Sequence, residues 1–224
     1  MSTATVPAAR QPTMSPAPRL GAAHSLRRLP VQERSAARVR RMLDAAADLI
    51  EEVGYDRLST TAIAQRADVA IGSVYQFFGD KRSLAEALSR RYIDMYFERL
   101  TARFDEEPPA DWRAGVEVAI GEYADLYRTA PGFRVLHLAD VIDPGRIGAT
   151  PTGGDVIAEK IRAGLEQRFG ISGDDQPLAE TVTVAVETGQ ALVRLAFRRD
   201  AEGDPAAIAE AKRVVCDYLD RRLS

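Results

Sequence analysis

Between Ser59 and Leu84 the chain carries side chains suited to hydrogen bonding with a polyanion, not to making or breaking bonds. Thr60, Thr61, Gly72, Ser73, Tyr75 and Gln76 are small or carry hydroxyl or amide groups, and Lys81 adds a cation. Hydroxyls and amides can reach base edges in the major groove of double-stranded DNA, and a lysine meets phosphate. The segment from Gly72 to Gln76 contains no acid to oppose that contact. Further along stand Tyr92, Tyr96, Trp112, Tyr123, Tyr127, Phe133 and His137. Taken singly, each of these rings fits ordinary core packing. As a group with few polar partners they are the material of a pocket for an apolar or aromatic small molecule.

The local pattern supplies the elements that would hold the first set. Ile63 and Ala67 lie four apart on one helical face, and Ala64 beside them lets a second helix cross closely. Asp68-Val69 makes a turn, and the run from Ile71 to Phe78 places Ile71, Val74 and Phe78 inward, with Phe77 beside them. Gly72, Ser73, Tyr75 and Gln76 are left outward, as a recognition helix requires. Upstream, an amphipathic helix from Arg34 to Val53 stops at Gly54, and Tyr55 and Leu58 pack the connection. Downstream, Asp80 caps a helix through Leu84, Leu88 and Arg91, with Lys81 in its first turn, where a phosphate is favoured.

Residues 33 to 84 resemble the amino-terminal domain of the TetR family of transcriptional regulators. The resemblance rests on Ala45-Ala46-Ala47-Asp48-Leu49-Ile50, Gly54-Tyr55, Thr60-Thr61-Ala62-Ile63-Ala64, Gly72-Ser73-Val74-Tyr75-Gln76-Phe77-Phe78 and Asp80-Lys81 together. It implies an all-α homodimer whose first three helices bind DNA and whose larger carboxy-terminal domain dimerises and holds an effector. Two positions depart from the family pattern. Asp68 stands where glycine is common, and aspartate tolerates a left-handed backbone better than most residues. Ala70 stands where a capping serine is frequent, so a cap and a phosphate contact are missing.

Composition agrees with a globular chain of one or two domains: 224 residues, 46% hydrophobic and 28% charged. The net charge of −3 hides an asymmetry. Residues 1 to 104 hold 16 Lys and Arg against 11 Asp and Glu, whereas residues 105 to 224 hold 14 against 22. The basic half contains the helix-turn-helix. Residues 1 to 25, rich in Ala, Pro, Ser and Thr and free of acids, read as part of a disordered tail with no secretory signal. The expected organisation is a tail over 1–30, a helix-turn-helix domain over 31–84 and a helical effector-binding and dimerisation domain over 85–224.

The rest of the chain reads as helices from Leu84 to Phe104, Asp111 to Thr129, Pro131 to Ile142, Asp155 to Phe169, Pro177 to Arg199 and Pro205 to Leu223, with a loop from Asp143 through Gly153-Gly154. The last two are strongly apolar, and Leu192 and Val215 are expected at a dimer interface that Gly189 would let approach closely.

No esterase elbow, metalloprotease motif, phosphate loop or Cys/His cluster is present, so no catalytic residue, metal or cofactor is expected. The lone Cys216 fits a reducing cytoplasm, and no stretch is long enough to span a membrane. The expected function is a repressor released from a palindromic operator by a small-molecule effector. An activator, or a helical ligand-binding protein with a vestigial helix-turn-helix, stays open as the alternative.

Overall fold

The computed structural model describes residues 25–138, 153–171 and 176–223, and every regular element among them is an α-helix. These are α1 (Ser25–Val53), α2 (Thr60–Arg66), α3 (Ile71–Phe77), α4 (Lys81–Glu106), α5 (Trp112–Thr129), α6 (Phe133–Leu138), α7 (Gly153–Phe169), α8 (Gln176–Arg199) and α9 (Pro205–Leu223). Helix α1 crosses the boundary, after residue 37, between two compact units, and α2 to α9 lie within the second.

Local chemistry sets most of the ends. Gly54 takes φ +83° and donates its N–H to the Ile50 carbonyl at 3.0 Å, which stops α1. Ser59 caps α2 by accepting from the Ala62 N–H at 3.1 Å. Asp80 and Ser83 form a reciprocal capping box at the start of α4, and those bonds to Ser83 hold the Asp80 carboxyl below its ordinary pKa. Asp111 caps α5 through the Ala114 N–H at 2.9 Å. Asp68 adopts φ +52° in the turn between α2 and α3, and Ala70 begins α3 with no side-chain cap, both as its residue type dictates.

Two helix starts, those of α1 and α7, come earlier than the sequence expectation. Helix α1 starts at Ser25, ahead of the predicted Arg34. The stretch is rich in helix formers, and Pro30 removes only one donor near the helix start. Helix α7 starts at Gly153, ahead of the predicted Asp155, and a Cβ added at Gly153 would make ordinary contacts with Ile93 and Ser89 on α4. Helix α6 is described as far as Leu138; the predicted extension to Ile142, the loop that follows and residues 1–24 of the tail lie outside the described residues.

Helix α4 passes from the helix-turn-helix to the carboxy-terminal bundle, and its burial pattern shows how one helix serves both. Leu84, Leu88, Tyr92, Tyr96, Leu100 and Phe104 are all buried, at a strict spacing of four. A spacing of four advances about 40° per step around a helix, so the buried stripe turns through about 200° along its length. At its start α4 packs toward α1 to α3, and at its end the buried face has swung nearly to the opposite side, against α5 and α7.

The two parts meet at a second point. Gly132, at φ +72° in the corner between α5 and α6, lies so close to α1 that a Cβ there would stand 2.8 Å from the Ala47 carbonyl oxygen. The Gly132 N–H donates to the Glu51 carboxylate at 3.0 Å, and the Tyr92 hydroxyl donates to the Pro131 carbonyl.

Helix α8 packs on α7 and α9. Its Val182, Ala185, Val193, Ala196 and Phe197 are buried within the chain, and so is Val215 on α9. Gly189 is buried within its own protomer, where an added Cβ would stand 3.6 Å from Val215 on α9, so it faces α9 and not a partner.

Two glycines give opposite expectations in urea unfolding. Gly132→Ala should destabilise by about 2 kcal/mol, from a strained φ and a clash with backbone. Gly121→Ala, inside α5 with nothing within 4 Å of the new methyl, should stabilise by about 0.5–1 kcal/mol. Equal midpoints for the two variants would contradict the packing at the α1 corner.

Candidate nucleic-acid interface and effector cavity

The inner faces of α2 and α3 are fixed by Ile63, Ala64 and Val74, all buried together with Leu58, Phe78 and Leu84. This leaves Thr61, Gly72, Tyr75 and Gln76 exposed and Thr60 and Ser73 half-buried. Tyr75 is 55% exposed and its hydroxyl lies 3.0 Å from the Thr60 Oγ1, so two of the predicted residues from different helices share a hydrogen bond. A bidentate Arg66–Glu52 pair, 2.7 and 2.9 Å, ties α2 to α1 and lowers the Glu52 pKa.

Ile71 does not face inward as its spacing suggested; it is 43% exposed. As the first residue of α3 it sits about 60° around the helix from Val74 and only about 40° from Tyr75. No neighbouring element covers that corner, so Ile71 extends the outward face. An apolar side chain there suits the methyl group of thymine, a role the inward reading missed and the i, i+4 relation to Tyr75 could have signalled.

Lys81 has a structural task beside any contact with phosphate. Its ammonium donates to the carbonyls of Tyr55 at 2.9 Å and Asp56 at 3.3 Å and rests 4.3 Å above the Tyr55 ring. Of three ammonium N–H groups, two are thus directed at the loop between α1 and α2.

The seven predicted effector residues fall into three places. Tyr92, Tyr127, Phe133 and His137 form a packed cluster with Phe197: Tyr127 meets Phe133 edge-on at 4.9 Å, stacks on Phe197 at 4.6 Å, and Phe133 stacks on His137 at 3.8 Å. Tyr96 and Tyr123, edge-on to each other at 5.9 Å, belong to the same network but also line a cavity. Trp112 lines a separate groove nearby.

The cavity encloses about 610 Å³ of empty space, part of it open to solvent, among α4, α5, α7, α8 and α9. Its wall is aliphatic, with Ile120, Ile157, Leu165, Val182, Val193 and Val215 prominent, and the void opens where Ala119, Ala185 and Gly189 leave room. These aliphatic positions escaped an expectation built on rings. Polar groups are few. The Tyr96 hydroxyl donates to the Ala119 carbonyl at 3.2 Å, burial raises the pKa of both Tyr96 and Tyr123, and Gln190 contributes an amide. Such a wall accepts an apolar body and orients it with one or two hydrogen bonds.

No group of His, Cys, Asp or Glu among the described residues could hold a metal ion, and no helix among them is long and apolar enough to cross a membrane. Two family models match the chain: "Bacterial regulatory proteins, tetR family" over residues 42–88, and "Tetracyclin repressor-like, C-terminal domain" over residues 110–223. The fold is similar to the crystal structure of a TetR-family transcriptional regulator from Streptomyces coelicolor, with a TM-score of 0.71, 42% identity and coverage of 83% of this chain and 99% of that one. The HTH-type transcriptional regulator BetI of Pseudomonas aeruginosa is 28% identical over 189 residues, 82% of this chain and 91% of that protein. The HTH-type transcriptional repressor KstR of Mycolicibacterium smegmatis is 38% identical over 74 residues; the match spans about a third of each chain, 33% of this one and 34% of KstR.

The environment of His137 makes a pH prediction. Burial pushes its pKa down to about 4, against an ordinary 6.5, only partly offset by the bond between Nδ1 and the Phe133 carbonyl. The unfolded chain therefore takes up this proton more readily than the folded one. The His137 contribution is complete above about pH 6.5 and is lost as pH falls toward 4, by on the order of 2 kcal/mol. In chemical unfolding, His137→Gln should have a flatter stability profile than the parent over that range. Parallel profiles would contradict a buried neutral imidazole.

Proposed function

Because the chain belongs to the TetR family of transcriptional regulators and is a DNA-binding regulator, we propose that it acts as a repressor that a small apolar or aromatic effector releases from a palindromic operator. The observation that carries this reading is that α4 runs from one site to the other. Its first residues cap and brace the helix-turn-helix through Asp80 and Lys81, and four turns later its Tyr96 stands in the cavity wall. A ligand that fits the cavity in only one placement of α4 shifts the population toward that placement, by no more than its differential affinity allows.

In this reading residues 31–84 read DNA and residues 85–224 bind the effector and dimerise; the expected tail over 1–30 is shortened, since α1 begins at Ser25. The reading face comprises Thr60, Thr61, Gly72, Ser73, Tyr75 and Gln76, extended by Ile71. Lys81 holds the loop before α2 and offers its remaining N–H to phosphate. Within the predicted effector set, Tyr96 and Tyr123 touch the ligand, and Tyr92, Tyr127, Phe133 and His137 form the firm backing behind them. The chain has no catalytic role and works in the cytoplasm, where its DNA is.

Two protomers would meet through α8 and α9, since a reader with a single recognition helix gains by pairing with a symmetric half-site. The side chains available for that contact are Val184, which is 41% exposed, Ala191 and Leu195, which follow one another along the outer side of α8. Val215, buried within its own protomer, is set aside as an interface residue.

Two experiments test the proposal. Tyr75→Ala with Gln76→Ala should weaken binding to an operator selected from genomic DNA by about 10- to 100-fold while leaving thermal unfolding nearly unchanged; unaltered operator affinity would rule out this face. Val184→Glu should yield folded monomers by light scattering, because an unpaired carboxylate in an apolar contact costs several kcal/mol, roughly. A variant that stays dimeric would place the interface elsewhere.

A further inference from the structure

The groove that holds Trp112 adjoins the apolar cavity, and the two differ in charge. Val116, Ala119, Ile161 and Leu165 line both, so the groove and the cavity meet along these α5 and α7 side chains. The cavity wall contains no charged residue. The groove, with about 1200 Å³ of empty space open to solvent, contains two cations, Lys160 and Arg168, and no carboxylate.

Both cations are held at the groove by more than their own helix. The Lys160 ammonium lies 4.7 Å over the Phe97 ring and the Arg168 guanidinium 5.1 Å over the Phe104 ring, with both rings in the groove wall. Each forms an exposed ion pair with an acid on α4, Lys160 with Asp94 at 3.6 Å and Arg168 with Asp105 at 3.4 Å, the latter also a hydrogen bond. Those carboxylates are 70% and 68% exposed, and ion pairs of that length in water are weak. An anion in the groove can contact these half-exposed cations, which the Phe97 and Phe104 rings hold in place.

Resting on the effector-site reading above, we infer that the effector is an amphipathic anion, whose apolar body occupies the cavity and whose anionic group lies in the groove against Lys160 or Arg168. The two cations stand eight residues apart on α7, about 12 Å along its axis, too far to grip one carboxylate together. A single-headed ligand therefore uses one of them and an elongated, multiply charged head spans both. A neutral apolar molecule gains nothing from these cations, and a cationic one is repelled by them.

Trp112, the chain's single tryptophan, stands in the groove wall and reports on occupancy by its fluorescence. The probes are decanoate and 4-phenylbutyrate, each compared with its alcohol, 1-decanol and 4-phenyl-1-butanol, below their aggregation limits. At least one acid should bind tenfold or more tightly than its alcohol. Lys160→Gln with Arg168→Gln should erase the difference, and Asp94→Asn with Asp105→Asn should tighten the acid several-fold by relieving the competition. Alcohols that bind as well as acids, or acids indifferent to the Lys160 and Arg168 changes, would overturn the inference; release of operator DNA by the alcohols would then still uphold the effector site. An acid that binds with the expected charge dependence but leaves the operator complex intact at saturation would uphold the inference and overturn the release mechanism. No fluorescence response to any of the four compounds would overturn the inference.

Discussion

The regulator reading depends on one close approach, that of the Gly132 backbone to the Ala47 carbonyl on α1. At that point no side chain lies between the DNA-reading helices and the corner that joins α5 to α6. Side chains can change rotamer and absorb a displacement; a backbone held against a carbonyl cannot. Glu51 accepts the Gly132 N–H and the Tyr92 hydroxyl is bonded to Pro131, so the corner is fixed from α1 and from α4 together. The corner between α5 and α6 is thereby joined to α1 and to α4 at one place. Interiors packed this way switch between discrete arrangements instead of deforming smoothly.

The aromatic cluster and the cavity divide the work behind that corner. Phe133 is buried on its Tyr92, Tyr127 and His137 neighbours, and interlocked rings of this kind resist compression. Beside them the cavity is walled by branched aliphatic side chains and opens where Ala119, Ala185 and Gly189 are small. An apolar ligand entering there gains about 25 cal/mol for each Å² of apolar surface removed from water. These interlocked rings fill the space between the cavity and the corner at Pro131 and Gly132.

The features legible in the sequence are those decided within a few residues. Ser59, Asp80 and Asp111 cap helices because a short oxygen acceptor reaches a backbone N–H three residues on, and Gly54 and Asp68 turn left-handed because their types tolerate it. What stayed hidden depends on residues far apart in the chain. Ile71 is exposed because no other helix covers it, Gly153 falls inside α7 beside α4, and Val215 is buried against α8 of its own chain. The hold of Lys81 on the Tyr55 and Asp56 carbonyls joins residues 25 and 26 positions apart. Two of the predicted rings, Tyr96 and Tyr123, border the cavity, but the void itself lies where small residues from separate helices meet, and no local pattern records that.

The winding stripe of α4 also bears on how such proteins can be recombined. Its six buried positions are indexed to two partners at once, so the helix behaves as a keyed shaft. Adding or removing one residue between Leu88 and Tyr96 would rotate the reading head by about 100° against the bundle and put one of the two keys out of phase, whereas a whole number of turns would nearly restore it. Chimeras that exchange reading heads within this architecture must therefore be spliced in register along α4, and two sequences of equal length but different stripe phase are not interchangeable.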